Sequence, residues 1–360
     1  MLIDITTSSP PYKVFQKKAS EELKKRMGGR PAVDRLIDTA ANYSGIDSRY
    51  IVIPDAEENA LSRFYSDSKS YIKPDTKTRM KEYEKWSKQL TCESVGKILN
   101  TNKINPKSVE RLITISCTGF YAPGFDYYLI EKFNIPPDVK RTHIGFMGCA
   151  AALIGFNSVL EALSSLPPGK NILLVTSEIC SIHLQTEPTK DNIMANLIFA
   201  DGAAAALFSK DQNIKGLKIL NTASFLFEGS SGFMGWEIGN FGFEMILSSE
   251  LPKIILDHAM PRLISILAGF GLKKEEIKHW ALHPGGRAIL DSIQKGLELS
   301  DDLMTPSRTV LKNYGNMSSA SILFVLKELL ITHVIAKDEL CCAVAFGPGL
   351  TMEVVVLQGS

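Results

Sequence analysis

Three residues have the types and surroundings needed for covalent chemistry. Cys149 stands in MGCAAALIGF, after a glycine and before three alanines. The glycine permits a tight entry turn and the alanines favour helix, so the sulfur is expected at a helix N-terminus. There, unpaired N–H groups and the helix dipole favour a thiolate, a good nucleophile toward thioesters. His283 stands in LHPGGRAIL. Pro284 ends a strand because it has no N–H to donate, and Gly285-Gly286 turn the chain into a helix, so the imidazole projects from a strand end. Asn316 stands in NYGNMSSASILFVL. Asn is a good N-cap, but an Asn amide beside an imidazole N–H also makes a pair of neutral donors. Such a pair is an oxyanion hole, which would also stabilise the enolate left when a malonyl thioester loses carbon dioxide. A carboxylate nearby would oppose that enolate, and the three motifs contain none.

An internal repeat supplies the elements that position these residues. GCAAALIGFNSVLEAL from Gly148 parallels GNMSSASILFVLKELL from Gly315. Cys149 and Asn316 are 167 residues apart, as are Glu161 and Glu328, and Lys170 and Lys337. The strand-like runs RLITISC and KHWALH end on Cys117 and His283, 166 apart. Unbroken apolar runs such as NILLVTSE and LCCAVAF read as strands buried on both faces, alternating with helices. The expectation is two duplicated α/β halves, each with a mostly parallel sheet, whose interface gathers Cys, His and Asn. The halves are drawn as residues 1–212, carrying the cysteine, and 213–360, carrying the histidine and asparagine, with polar SKDQNIKG (209–216) as the junction. Segment 47–92 has no visible counterpart in the second half and reads as charged helices and loops added at the surface.

Composition sets limits. The chain has 360 residues, 45 % apolar and 22 % charged, with 40 basic against 39 acidic side chains. That is enough to bury a core without staples, and it excludes global disorder. The balanced charge argues against a nucleic-acid partner. Six cysteines with no C-x-x-C and no zinc spacing, no basic n-region at the start and no unbroken apolar run of spanning length suggest a cytoplasmic protein with reduced thiols, no metal and no membrane span.

With these motifs in place, the sequence resembles the type III polyketide synthases, the chalcone-synthase-like family. The resemblance spans nearly the whole chain, through CTGFYAPGFD, MGCAAALIGF, TSEICS, FADGAAAALF, LHPGGRAIL, YGNMSSAS and FGPGLTMEVVVL. It implies a thiolase-like α/β fold, duplicated halves in a five-layered αβαβα arrangement, and a homodimer. It implies that Cys149 takes an acyl group from a starter acyl-CoA. His283 helps keep the sulfur ionised and, with Asn316, holds the malonyl-CoA thioester during decarboxylation. The resulting carbanion attacks acyl-Cys149, and the lengthened chain then cyclises. CoA thioesters are substrates, and no metal or redox cofactor is implied.

By the same resemblance, Phe199 and Phe243 guard the junction of the CoA tunnel and the cavity, and Ser318 lies beside the nucleophile. Thr118, Ala122, Cys180 and His183 line the cavity. The first three match bacterial members that accept long acyl chains, which points to a medium or long acyl-CoA starter and an alkylpyrone or alkylresorcinol product. Asp47 and Ser48 stand where many relatives place basic residues before the Arg49-Tyr50 pair, so no CoA-binding residue is assigned. Two alternatives stay open: a ketoacyl-ACP synthase of the third class, condensing once with malonyl-ACP, and a non-catalytic thiolase-fold scaffold.

Overall fold

The computed structural model describes residues 1–27, 29–54, 64–65, 73–211 and 215–360. The strands run β1 (Leu2–Ser8), β2 (Tyr12–Phe15), β3 (Ser48–Ile51), β4 (Val109–Ser116), β5 (Lys140–Gly145), β6 (Asn171–Ile179), β7 (Asp201–Ser209), β8 (Leu217–Leu226), β9 (Met234–Gly239), β10 (Gly242–Leu247), β11 (Ile277–Leu282), β12 (Leu340–Gly347) and β13 (Thr351–Gly359).

Nine of these strands form one sheet in the order β11-β12-β13-β8-β1-β7-β6-β4-β5. It consists of two sub-sheets meeting edge to edge at a single facing pair, Leu2 and Leu217. In one, β5, β4 and β6 run parallel, while β7 and β1 are antiparallel to their neighbours. In the other, β11 and β12 are parallel, and β13 and β8 are antiparallel. Each sheet is therefore mixed rather than mostly parallel. In the second half the reason is local: only Pro348, Gly349 and Leu350 separate β12 from β13, and so short a link returns the chain antiparallel.

Helices Ala151–Ser165 and Ser321–Thr332 lie between the sub-sheets, each touching strands of both halves. Helices Thr76–Thr101 and Phe125–Phe133 cover the outer face of the first sub-sheet, and Arg287–Leu297 and Asp301–Tyr314 cover the second. This is the five-layered αβαβα arrangement. Burial on both faces explains the unbroken apolar strands: every residue of β6, β7 and β12 is buried. The run Ala203–Ala206 in β7 keeps that strand thin, with the long outer helix on one side and Ser321–Thr332 on the other.

The structure changes three expectations. First, the central turns and helices repeat at 170 residues, not 167: short 3₁₀ turns at Gly148–Ala150 and Ser318–Ala320 lead into helices starting at Ala151 and Ser321. Cys149 thus corresponds to Ser319, and Asn316 lies just before the equivalent turn. The sequence match at 167 followed similar residue types and slipped by three positions, nearly one helical turn. Second, the part of segment 47–92 that starts at Thr76 is not an added surface piece. Helix Thr76–Thr101 buries Arg79, Tyr83, Trp86 and Leu90, and leads through a 3₁₀ turn, Pro106–Ser108, into β4. Helix Met260–Gly269 leads through Lys274–Glu276 into β11 in the same way. Its many charges line the outer side of a helix whose inner side is core. Third, a sheet of mixed direction replaces the mostly parallel one. Residues 55–63 and 66–72 of that segment, and the proposed boundary at 212/213, lie outside the described residues.

Among the described residues, one apolar segment, Gly148–Ser165, has the length and hydropathy of a membrane span. Half of it is buried inside the protein, as befits the helix between two sheets.

Candidate active site

The nucleophile candidate sits on a strained turn. Phe146 and Gly148 have φ values of 57° and 61°. A Cβ on Gly148 would come within 2.3 Å of Pro348 Cδ, so both the dihedral and the close approach require glycine. Cys149 is 8 % exposed. Its Sγ lies 3.9 Å from the Asn316 side chain and 3.8 Å from Ser318 Oγ, both from the opposite half.

Asn316 is held on three sides. Its backbone bridges the chain at Phe199, with Asn316 N donating to Ile198 O at 2.9 Å and Ala200 N donating to Asn316 O at 2.8 Å. Ser318 N donates to Oδ1 at 2.8 Å. That leaves the amide N–H groups facing Gly285 O at 3.4 Å and the sulfur.

His283 follows β11, whose ladder stops before Pro284; its backbone N donates to Val344 O at 2.9 Å. Gly286 then opens helix Arg287–Leu297. The ring is buried, and neither Nδ1 nor Nε2 has a partner among the described residues. Burial pushes its pKa down to about 3, so the ring is neutral. One unpartnered nitrogen always carries a proton in a neutral imidazole, so the ring retains a donor for an incoming carbonyl oxygen.

The thiol departs from expectation. Burial pushes the Cys149 pKa up to about 12, and the contacts with Ser318 and Asn316 only partly offset this. Dehydration of a sulfur in an apolar enclosure outweighs the helix terminus. The expected absence of an acid is also overturned. Glu178, in the TSEICS stretch at the end of β6, is fully buried and raises the Cys149 pKa further. Its carboxylate accepts from Cys117 N at 3.0 Å, from Thr118 Oγ1 at 2.8 Å and from Ser319 Oγ. Burial holds its own pKa up at about 7 despite these donors. Glu178 stands inside the TSEICS motif, but only the fold brings the end of β6 against the nucleophile's turn.

A cavity of about 120 Å³ lies beside this cluster. Cys180, His183, Phe199 and Phe243 line it together, joined by Arg49 of the Arg49-Tyr50 pair and by Trp236, which the sequence did not single out. Trp236 reaches the site only through the β9–β10 hairpin, where it faces Met245 and sits 5.9 Å from the Phe199 ring. Arg49 is buried, with Nη1 donating to Asn196 O at 2.8 Å and to Phe199 O at 2.5 Å, so it braces the chain behind Phe199. Thr118, Ala122, Ser318 and the three chemical residues are not on this cavity's wall. The Thr118 hydroxyl is already committed, donating to Glu178 and accepting from Ile179 N at 2.8 Å.

Known proteins share both the sequence pattern and this architecture. Residues 219–360 match the family model described as the C-terminal domain of chalcone and stilbene synthases, and residues 61–219 match that of the FAE1/type III polyketide synthase-like proteins. A 3,5-dihydroxyphenylacetyl-CoA synthase of Amycolatopsis balhimycina is 30 % identical over 270 residues, covering 74 % of this chain and 72 % of the relative. The alpha-pyrone synthesis polyketide synthase-like Pks18 of Mycobacterium tuberculosis is 31 % identical over 248 residues, covering 67 % of this chain and 63 % of its own. Among solved structures, PKS-I from the brown alga Ectocarpus siliculosus superposes with a TM-score of 0.93 at 29 % identity, covering 100 % of this chain and 98 % of that one. Two sub-sheets with shared central helices, a cysteine turn facing an asparagine from the other half, and these matches lead to one assignment: the chain belongs to the type III polyketide synthases, acyltransferases of the chalcone- and stilbene-synthase family.

Proposed function

We propose that Cys149, His283 and Asn316 carry out acyl-CoA-primed, iterative decarboxylative condensation of malonyl-CoA. Family membership supplies CoA thioesters as substrates and chemistry without a cofactor. The observation that carries the assignment of residues is a buried sulfur against Asn316 of the opposite half, with the Asn316 amide in turn facing Gly285 O, two residues beyond His283, whose ring nitrogens have no partner among the described residues. Cys149 Sγ attacks the starter thioester carbonyl, its proton passes to the His283 ring, and CoA leaves with that proton. Malonyl-CoA then loses carbon dioxide while the N–H groups of neutral His283 and Asn316 hold the enolate oxygen. The enolate carbon displaces Cys149 from the acyl thioester, leaving a chain two carbons longer on CoA. Ser318 keeps the thiol in place from 3.8 Å.

The starter is a medium- or long-chain acyl-CoA, and the product an alkylpyrone or alkylresorcinol. Support comes from the cavity, which Cys180, Phe199 and Phe243 line together with the apolar Leu23 and Ile53. The similarity to an alpha-pyrone-forming relative agrees with it. Thr118 and Ala122 belong in this reading to the inner wall, although the cavity described above does not reach them. The working unit is a homodimer: Phe120, Phe146 and Met147, 54 %, 40 % and 42 % exposed, form an apolar face beside the cysteine turn. The two functional halves divide at 212/213, and six free thiols suit a cytoplasmic protein.

The test is a panel of acyl-CoA starters of increasing length with malonyl-CoA, products identified by mass spectrometry. Cyclised products of two or more extensions, with best turnover at medium or long chains, are expected. Activity with malonyl-ACP alone and a single two-carbon extension would establish a ketoacyl synthase instead.

A further inference from the structure

Arg49 carries a charge that the mechanism above does not use. It stands in β3, beside Tyr50, and its guanidinium is buried at the end of helix Lys190–Ile198. Its two Nη1 bonds go to Asn196 O and Phe199 O, carbonyls at a helix terminus, where the helix itself supplies no donors. A cation there also faces the negative end of the helix dipole. Burial lowers the guanidinium pKa to about 10 and the nearby Asp201 carboxylate opposes the fall, so the group is charged at neutral pH. Asp201 is itself fixed, accepting from Val52 N and from Ser181 N, each at 2.7 Å.

The residues that leave this helix are the ones that hold Asn316. Ile198 O accepts from Asn316 N, and Ala200 N donates to Asn316 O, so Phe199 and Asn316 form an isolated backbone bridge. Arg49 touches the other strand of that bridge as well. A Cβ on Gly315, whose φ is 70°, would come within 2.8 Å of both Arg49 Cγ and Cδ. Only glycine lets the chain cross the arginine stem so closely. The neighbours of Arg49 fasten the same segment. Asp47 N donates to Lys312 O at 2.8 Å, Ser48 Oγ donates to Asn313 O at 3.2 Å, and the Tyr50 ring stacks on Tyr314 with centroids 5.6 Å apart. Contacts from residues 47–50 thus run along residues 312–315 and stop one residue short of the asparagine.

A buried ion pair is weak evidence for stability, because dehydration costs about as much as the attraction returns. Arg49 is not even fully bonded, since Nε has no partner among the described residues. What sets it apart is convergence: one side chain fixes both segments that meet at Asn316. A catalytic donor displaced by about 1 Å can cost roughly 100-fold in rate.

We propose that Arg49 is a positioning residue that aims the Asn316 amide at the malonyl-CoA thioester oxygen, by holding the Phe199 carbonyl and the Gly315 backbone in one geometry. The inference rests on the roles proposed above for Cys149, His283 and Asn316. In that mechanism Asn316 serves decarboxylation, whereas loading of the starter calls on Cys149 and His283.

The experiment reads two rates in the wild type, Arg49→Met and Arg49→Lys, together with melting temperature. One is carbon dioxide release from malonyl-CoA. The other is acyl-Cys149 formation from the preferred acyl-CoA starter, followed by intact-protein mass. Arg49→Met keeps the apolar stem and loses the donors. Its ratio of decarboxylation to loading should fall by about tenfold or more, through kcat rather than KM. Arg49→Lys keeps a charged donor beside Asp201, and its ratio should fall by only about threefold. Adding Arg49→Met to Asn316→Ala should lower decarboxylation by less than about twofold further, because the group that Arg49 aims is already gone. A folded Arg49→Met protein with the wild-type ratio, whether neither rate falls or both fall equally, would overturn the proposal. So would a full multiplicative loss in the double variant. Should Arg49→Met not fold, Arg49→Lys carries both arms, and an unchanged ratio there would overturn it equally. The polyketide reading fails separately, if the wild type forms no acyl-Cys149 and releases no carbon dioxide from malonyl-CoA.

Discussion

The turns Gly148–Ala150 and Ser318–Ala320 are the same piece of backbone built twice. Each starts with a left-handed residue, Gly148 at φ 61° and Ser318 at φ 48°, and each launches a helix into the layer between the sub-sheets. Each central side chain reaches into the opposite half. Cys149 faces Asn316 and Ser318, while Ser319 donates to Glu178. In the proposed mechanism one turn presents its side chain to the reaction site, while the other uses its side chain to fasten the two halves together. Duplication supplied the same backbone geometry twice, and on the proposed reading the side chains give one turn to chemistry and the other to cohesion.

Breaking the comparison at its reactive side should have the largest effect. Cys149→Ala should lower chain extension by about 10³-fold or more while the protein still decarboxylates malonyl-CoA, read as carbon dioxide release against product by mass spectrometry. Wild-type product from this variant would remove Cys149 as the nucleophile. Asn316→Ala should lower decarboxylation and extension together by roughly 10²- to 10³-fold, since one oxyanion donor is lost from both steps. Loss of extension alone would show that Asn316 does not hold the malonyl oxygen.

The structural side should respond in stability instead. Gly148→Ala forces a side chain into a left-handed dihedral and against Pro348, costing about 2–4 kcal/mol in denaturant unfolding. Ser319→Ala removes a buried donor from Glu178 and should cost about 1–3 kcal/mol. If Ser319→Ala instead abolished extension with no loss of stability, the division of labour between the turns would be wrong.

The pH dependence sharpens the contrast further. With its pKa raised to about 12, the Cys149 thiol is protonated at neutral pH. Its alkylation by iodoacetamide should therefore rise steadily with pH up to 10, with no plateau. Glu178 raises the thiol pKa, so Glu178→Gln should lower it and speed alkylation at any fixed pH below 10. A plateau by pH 8 would mean that the sulfur is ionised already. The buried imidazoles act on stability in the acid range. His183 and His283 are held near 3 rather than 6.5, so the stability they contribute is complete above pH 6.5 and is lost as pH falls toward 3.

Much of the site was legible because its residues belong to contiguous motifs with local causes. Pro284 after His283 ends a strand wherever the strand lies, and Gly148 before Cys149 marks a turn that only glycine tolerates. The repeat was legible for the same reason, although its offset was misread, since residue types at 315–316 mimic those at 148–149 while the backbone equivalence falls three residues later. Helix Thr76–Thr101 was misjudged because its charges are numerous, and a charge count does not reveal that Arg79 and Trp86 share the inward side.

The sequence alone determined the alternation of strands and helices, the duplication, and the three residues capable of the chemistry, because periodicity, turn chemistry and residue type act within a few positions along the chain. Only the tertiary structure decided that Glu178 lies beneath Cys149, that burial keeps the thiol protonated, and that His183 ties Phe243 to Thr118. Those features depend on contacts between elements 60 or more residues apart and on the exclusion of water from the space between them, and neither is encoded in any single stretch of the chain.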